Sequence, residues 1–141
     1  MKNDRHGWYR LTRPFMVFLM LAAFVVSGCV PKEVTKIEAQ AREYEALEDY
    51  DAAVAHYTRA LQQTPDDIGM KARLIDVKQK ASLQHMRTAL ELMENRFFKE
   101  AIEELQVSIA FYPGNYRAIE LIDKARRMKE SDYYTQKGLA R

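Results

Sequence analysis

The spacing of apolar positions changes sharply about thirty residues into the chain. Phe15 to Val26 is an unbroken apolar run of twelve residues. Beyond it, apolar residues recur every three or four positions, which is the period of amphipathic helices. Thr35 to Leu47 has helix formers and neither Gly nor Pro, and the pattern breaks near Glu48-Asp49. Tyr50 to Gln63 carries a stripe of Ala53, Val54, Tyr57, Ala60 and Leu61. Thr64-Pro65-Asp66-Asp67 reads as a stop followed by a start, because Pro disfavours helix before it and Asp caps the next one. From Ile68 the pattern runs to about Asn95 without a convincing breaker. Phe97 to Phe111 presents Ala101, Ile102, Leu105 and Ile109, and Tyr112-Pro113-Gly114-Asn115 forms the second stop. The last helix is expected from Tyr116 to about Tyr133, with Ile119, Ile122, Ala125 and Met128 facing inward. Residues 135–141 are expected to fray. The pattern predicts an all-α fold.

The apolar run at the start is set apart from that fold. It is too short to span a bilayer, which takes about twenty residues. Lys2, Arg5, Arg10 and Arg13 precede it against a single acid, Asp4. A basic flank, a short apolar core and small residues at its end make an export signal, assigned to residues 1–28. The ending Val26-Ser27-Gly28-Cys29 resembles the lipobox of bacterial lipoproteins. That resemblance implies cleavage between Gly28 and Cys29, a diacylglycerol thioether on Cys29 and acylation of the new amino group. Two or three acyl chains anchor stably where one would not. Val30, in place of Asp, leans by the enterobacterial sorting rule towards the outer membrane, facing the periplasm. Residues 29–33 read as a tether, with Pro31 delaying the first helix. The mature chain would hold 141 − 28 = 113 residues, with 18 basic and 19 acidic side chains.

The two stops expose an internal repeat. Tyr50-Asp51-Ala52-Ala53-Val54, with Tyr57, Ala60 and Pro65, matches Phe98-Lys99-Glu100-Ala101-Ile102, with Leu105, Ser108 and Pro113, at a constant offset of 48. These units resemble tetratricopeptide repeats, helical hairpins of about 34 residues. Ala41, Tyr44, Ala53, Tyr57, Ala60 and Pro65 fall on the signature positions of the first unit, and Ala89, Leu92, Ala101, Leu105, Ser108 and Pro113 on those of the second. Ile37 and His85 depart from the family's common Trp, and Gln40 and Thr88 from its Leu. The resemblance covers about 34–67 and 82–115 within a helical domain of 34–134. Fourteen residues separate the units beyond the usual period, so one long helix is predicted from about Asp67 to Asn95. A kink near Ser82 is the alternative. A capping helix over 116–133 follows, and Leu121-Ile122-Asp123 echoes Leu74-Ile75-Asp76.

Such repeats imply protein binding on a face built mainly by the first helix of each pair. Carried over by position, that face includes Glu38, Arg42 and Glu45 in unit one and Met86, Leu90 and Met93 in unit two. A Met-lined face adapts to varied apolar partners, although packing inside the domain competes for these side chains. Arg42 and Glu45 are also spaced to pair with each other.

Composition removes several other classes. One Cys excludes an intrachain disulfide and any Cys-based metal site, and a formal charge of +2 speaks against a dedicated nucleic-acid binder. His56 and His85 stand on separate helices without ligand spacing, so no metal is expected. Glu103-Glu104 and Glu43/Glu45 point apart on a helix. The five Gly form no phosphate loop, and no Ser sits in a nucleophile motif. Tyr44, Tyr50 and Tyr57 occupy core positions, while Tyr133-Tyr134 lies near the end. No catalytic residue and no cofactor are expected, apart from the covalent lipid on Cys29.

The expected function is that of a membrane-anchored scaffold or assembly factor for an envelope machine serving secretion, pilus or outer-membrane assembly. Its partner is a protein of the cell envelope. The second reading is a structural lipoprotein that self-associates, a homo-oligomer joined through the long helix. The third, a cell-wall enzyme accessory, lacks convergent acid–base groups.

Overall fold

The computed structural model describes residues 32–138. The expected signal segment, Cys29, the first residues of the expected tether and residues 139–141 lie outside the described residues. Within them the chain is all-α: α1 (Lys32–Ala46), α2 (Tyr50–Gln63), α3 (Ile68–Glu94), α4 (Phe98–Phe111) and α5 (Tyr116–Gln136). No strand occurs among the described residues, and no helix there is long and apolar enough to cross a membrane.

Lys32 and Glu33, expected to lie in a tether, belong to α1. Val34 is fully buried, and its burial draws the first turn onto the core. The tail expected to fray from residue 135 is helical to Gln136. Asp132 accounts for this, since it pairs with Arg96 and accepts a hydrogen bond from Gln136 at 2.9 Å.

The offset of 48 extends to the backbone. Glu48 and Arg96 both adopt left-handed φ, 59° and 65°, just after α1 and α3. In each turn the next N–H reaches back across the turn, Asp49 to the Tyr44 carbonyl and Phe97 to the Leu92 carbonyl, both at 2.9 Å. This is the Schellman closure, made here without its usual glycine. Asp67 and Asn115 then cap α3 and α5, accepting from the N–H of Met70 at 2.9 Å and of Ala118 at 3.2 Å. Phe97, which corresponds to the capping Asp49 of α2, offers α4 no side-chain cap.

Two apolar clusters follow the two units. Val34, Ile37 and Ala41 of α1 meet Ala53, Tyr57 and Ala60 of α2 and Met70 and Val77 of α3. Ala89 and Met93 of α3 meet Ala101 and Leu105 of α4 and Ala118, Leu121, Ile122 and Ala125 of α5. Ile119 and Met128, expected to face inward, are exposed, and Ala118 and Leu121 take their place. Asn115 sets this register: its side chain is held by Ser82 and Ser108, which turns Ala118 rather than Ile119 towards the core. The same register pairs Leu74 with Ile122 at an offset of 48, so the echo read at 47 is displaced by one residue.

The long helix α3 is unbroken through Ser82 and belongs to both clusters. It does so by changing its buried side midway. Residues seven apart lie in one row with a drift of about 20° per heptad. In the row Met70, Val77, Gln84, Glu91 the first two are buried and the last two exposed. In the row Ile68, Ile75, Ser82, Ala89 the order is reversed: 80% and 59% exposed, then fully buried twice. Ala81 and Ser82 are both fully buried and mark the crossover.

Candidate interaction surface

The residues expected to face a partner fall into two separate settings. Arg42 is exposed and pairs with Glu38 at 2.5 Å, one helical turn away. The expected pairing of Arg42 with Glu45 does not form. Glu45 turns inward instead, accepting from Lys80 at 2.7 Å and from the Tyr57 hydroxyl at 3.3 Å. Lys80 also pairs with Asp76 at 2.9 Å. Its hydrogen bonds to Glu45 and Asp76 raise its pKa. Burial, then the charge of Glu45, raises that of the Tyr57 phenol. Glu45 is therefore a tie between α1, α2 and α3.

In the second unit Leu90 is exposed, Met86 is half-buried against the apolar cluster, and Met93 is only 4% exposed within it. Met93 serves the core. It stands 48 residues after Glu45, so one repeat position is a polar tie in one unit and an apolar plug in the other.

Two polar constellations were not anticipated from the sequence. The first is buried at the crossover of α3. Ser82 and Ser108 hydroxyls lie 2.9 Å apart, and the Ser108 hydroxyl also reaches the Ser82 carbonyl at 2.8 Å. Asn115 Nδ2 donates to both hydroxyls, at 2.9 and 3.2 Å. Three small polar residues thus bind α3, α4 and the start of α5, and each satisfies the others in a buried site.

The second constellation is His85. Its Nδ1 lies 2.6 Å from Glu104 of α4, and its Nε2 lies 3.2 Å from both carboxylate oxygens of Asp51 at the start of α2. The ring stacks on Phe111 at 5.5 Å. Burial alone lowers the histidine pKa, but the hydrogen bonds and charges of Glu104 and Asp51 outweigh it and hold the ring above its ordinary 6.5. The protonated ring donates from both nitrogens and joins three helices. It lies on a cleft of about 470 Å³ whose rim includes Leu47, Glu48, Asp49 and Thr88. The sequence showed a lone His at a position where the repeat family favours Trp. Its two acids come from 34 residues before and 19 after, beyond any local motif.

A second groove, of about 410 Å³, lies where the turn between α4 and α5 meets α3. Gln79 and Leu83 of α3 form one wall, and Tyr112, Gly114, Asn115, Tyr116 and Arg117 the other. The Tyr112 ring lies against Gly114, where a Cβ would approach it to 2.9 Å. Leu83 and Tyr116 are exposed at this groove. No group of His, Cys, Asp and Glu among the described residues is arranged to hold a metal ion.

No protein-family model, curated protein or solved structure matches the chain.

Proposed function

We propose that this chain is a membrane-anchored lipoprotein that acts as a protein–protein interaction scaffold or assembly factor in a bacterial envelope machine. The observation that carries this reading is a lipobox, Val26-Ser27-Gly28-Cys29, followed by a helical unit repeated at a constant offset of 48. A lipid on Cys29 would place the domain at the membrane, in this reading the outer membrane facing the periplasm. The repeat would supply the contact with a protein partner. The tetratricopeptide-like reading is supported by the small residues of the crossings: Ala41, Ala53 and Ala60 are fully buried, as are Ala89, Ala101 and Ser108. Such positions let helices approach closely. In this reading the chain is a binding module rather than an enzyme.

Two experiments test the reading. Cys29→Ser should move the protein from the membrane fraction to the soluble fraction while leaving its far-UV circular dichroism unchanged. Retention of all the protein in the membrane fraction would overturn the lipid anchor. A crosslinked pull-down of the tagged lipoprotein from native membranes should then recover a stoichiometric subunit of one envelope machine. Recovery of the chain alone would replace the scaffold with a self-associating structural protein.

A further inference from the structure

The front half of α3 leaves an apolar face uncovered, and the back half shows what such a face accepts. The row Ile68, Ile75, Ser82, Ala89 is one strip of the helix. Its last two members are buried in the second unit, where Ser82 meets Ser108 of α4. Its first two members are Ile, 80% and 59% exposed. The opposite rows make the contrast sharp. Where the back half turns away from the first unit, the exposed residues are Gln84, Thr88 and Glu91, as expected of a solvated face. A vacated face that keeps isoleucines is not built for water.

The charge beside this strip follows the same register. Lys71, Lys78 and His85 are seven apart and form the neighbouring row. On the back half, His85 receives the carboxylate of Glu104, four residues before Ser108 on α4. On the front half, the corresponding row offers two lysines, and neither has an ion-pair partner among the described residues. The helix that covers the back half is itself acidic, with Glu100, Glu103 and Glu104 against Lys99.

We propose that the front half of α3 is a docking site for an acidic amphipathic helix of a partner protein, seated as α4 is seated on the back half. This rests on the scaffold reading and gives the partner a chemistry. The partner helix runs antiparallel to α3. It carries an acid opposite Lys78 and another seven residues later opposite Lys71. Apolar residues four positions after each acid meet Ile75 and Ile68. Its amino-terminal end enters the groove between Leu83 and Tyr116, where exposed Tyr and Arg117 supply residue types favoured at binding hot spots. A second copy of this chain fits less well. Pairing two front faces, Ile68 of each copy against Ile75 of the other, would bring the two Lys71 side chains together.

Site-specific photo-crosslinking tests the proposal. A benzophenone side chain replaces Ile75 in one full-length variant and Thr88 in another, both made in cells of the native host. The adduct is mapped to its peptide by mass. The expected result is an adduct at position 75, none at 88, and a mapped segment with acids seven apart, each followed four residues later by an apolar residue. The double variant Lys71→Glu, Lys78→Glu should lower that yield by about tenfold, since opposed like charges cost more than a tenfold loss of affinity. Its melting temperature should match that of the parent, because both lysines lie outside the core.

An adduct to the same chain, an adduct to lipid, equal adducts at 75 and 88, or no adduct at 75 would each overturn the proposal. A pull-down that recovers the same partner equally from the parent and the double variant would remove this site while leaving the scaffold reading intact. Failure of the parent to recover any partner would remove both.

Discussion

Ile75 and Ala89 occupy one row of α3, two heptads apart, yet one is 59% exposed and the other fully buried. Met70 and Gln84 occupy a second row with the opposite outcome. The front and back halves of the helix thus share a pattern of positions but not a neighbour. Hydrophobic periodicity identifies α3 as a helix over its whole length, and it cannot say which side is covered at which point. The side is set by the partners, α1 and α2 in front, α4 and α5 behind. The crossover between them is held by the Ser82, Ser108 and Asn115 cluster.

The largest effect expected from this contrast comes from one substitution made twice. Ala89→Asp places an unpaired charge in the core and should cost more than about 4 kcal/mol in urea unfolding. Ile75→Asp, in the same row, should change stability by less than about 0.5 kcal/mol. Equal costs would mean that the helix does not change its buried side.

The capping positions of the two repeats come next. Asn115→Ala removes a helix cap and the donor shared by two buried hydroxyls, so a loss of about 2–3 kcal/mol is expected. Asp67→Ala, at the same repeat position, removes only a cap and should cost about 1 kcal/mol. The difference, read from denaturant midpoints, measures the buried cluster rather than the cap.

His85 ties the two units in a pH-dependent way. Its folded pKa is raised, so its contribution is complete below about 6.5 and is lost as the pH rises through the folded value. His85→Gln should therefore cost about 2 kcal/mol at pH 6 and progressively less towards pH 9. A cost that does not vary with pH would show that the ring acts through packing on Phe111 alone. Small gains, opposite in sign to the losses above, lie at the two left-handed turns. Glu48→Gly should raise stability by roughly 0.5–1 kcal/mol, because glycine adopts that φ without the clash of a Cβ. Arg96→Gly should gain less, since it also removes the pair with Asp132.

Much of this architecture was legible from local signals. The bounds of α2 follow from Asp49 and Pro65, and the length of α3 from the absence of any breaker between Asp67 and Asn95. The spacing of 48 announced a repeat whose turns, small buried residues and the caps at Asp67 and Asn115 coincide. What could not be read depended on distant contacts. The register of α5 was missed by one residue because Asn115 is fixed by Ser82 and Ser108, not by its neighbours. His85 looked solitary because its acids sit on other helices. Repeat position alone puts Glu45 and Met93 on one face and does not reveal that Lys80 reaches the first while the apolar cluster encloses the second. The uncovered front face also escaped notice, since Ile68 and Ile75 fit the same periodic stripe as core residues.

The shared helix also restricts how this chain can change length. Each residue added to an α-helix turns everything beyond it by about 100°. One residue inserted after Ala81 would swing the second hairpin round the axis and present the wrong row to α4. Seven inserted residues would restore the direction to within about 20° and move the hairpin about 10 Å along the axis. Insertions or deletions of whole heptads in α3 therefore keep the row that faces α4 but part His85 from Asp51, so the distance between the two hairpins can change only in steps and at the cost of that tie.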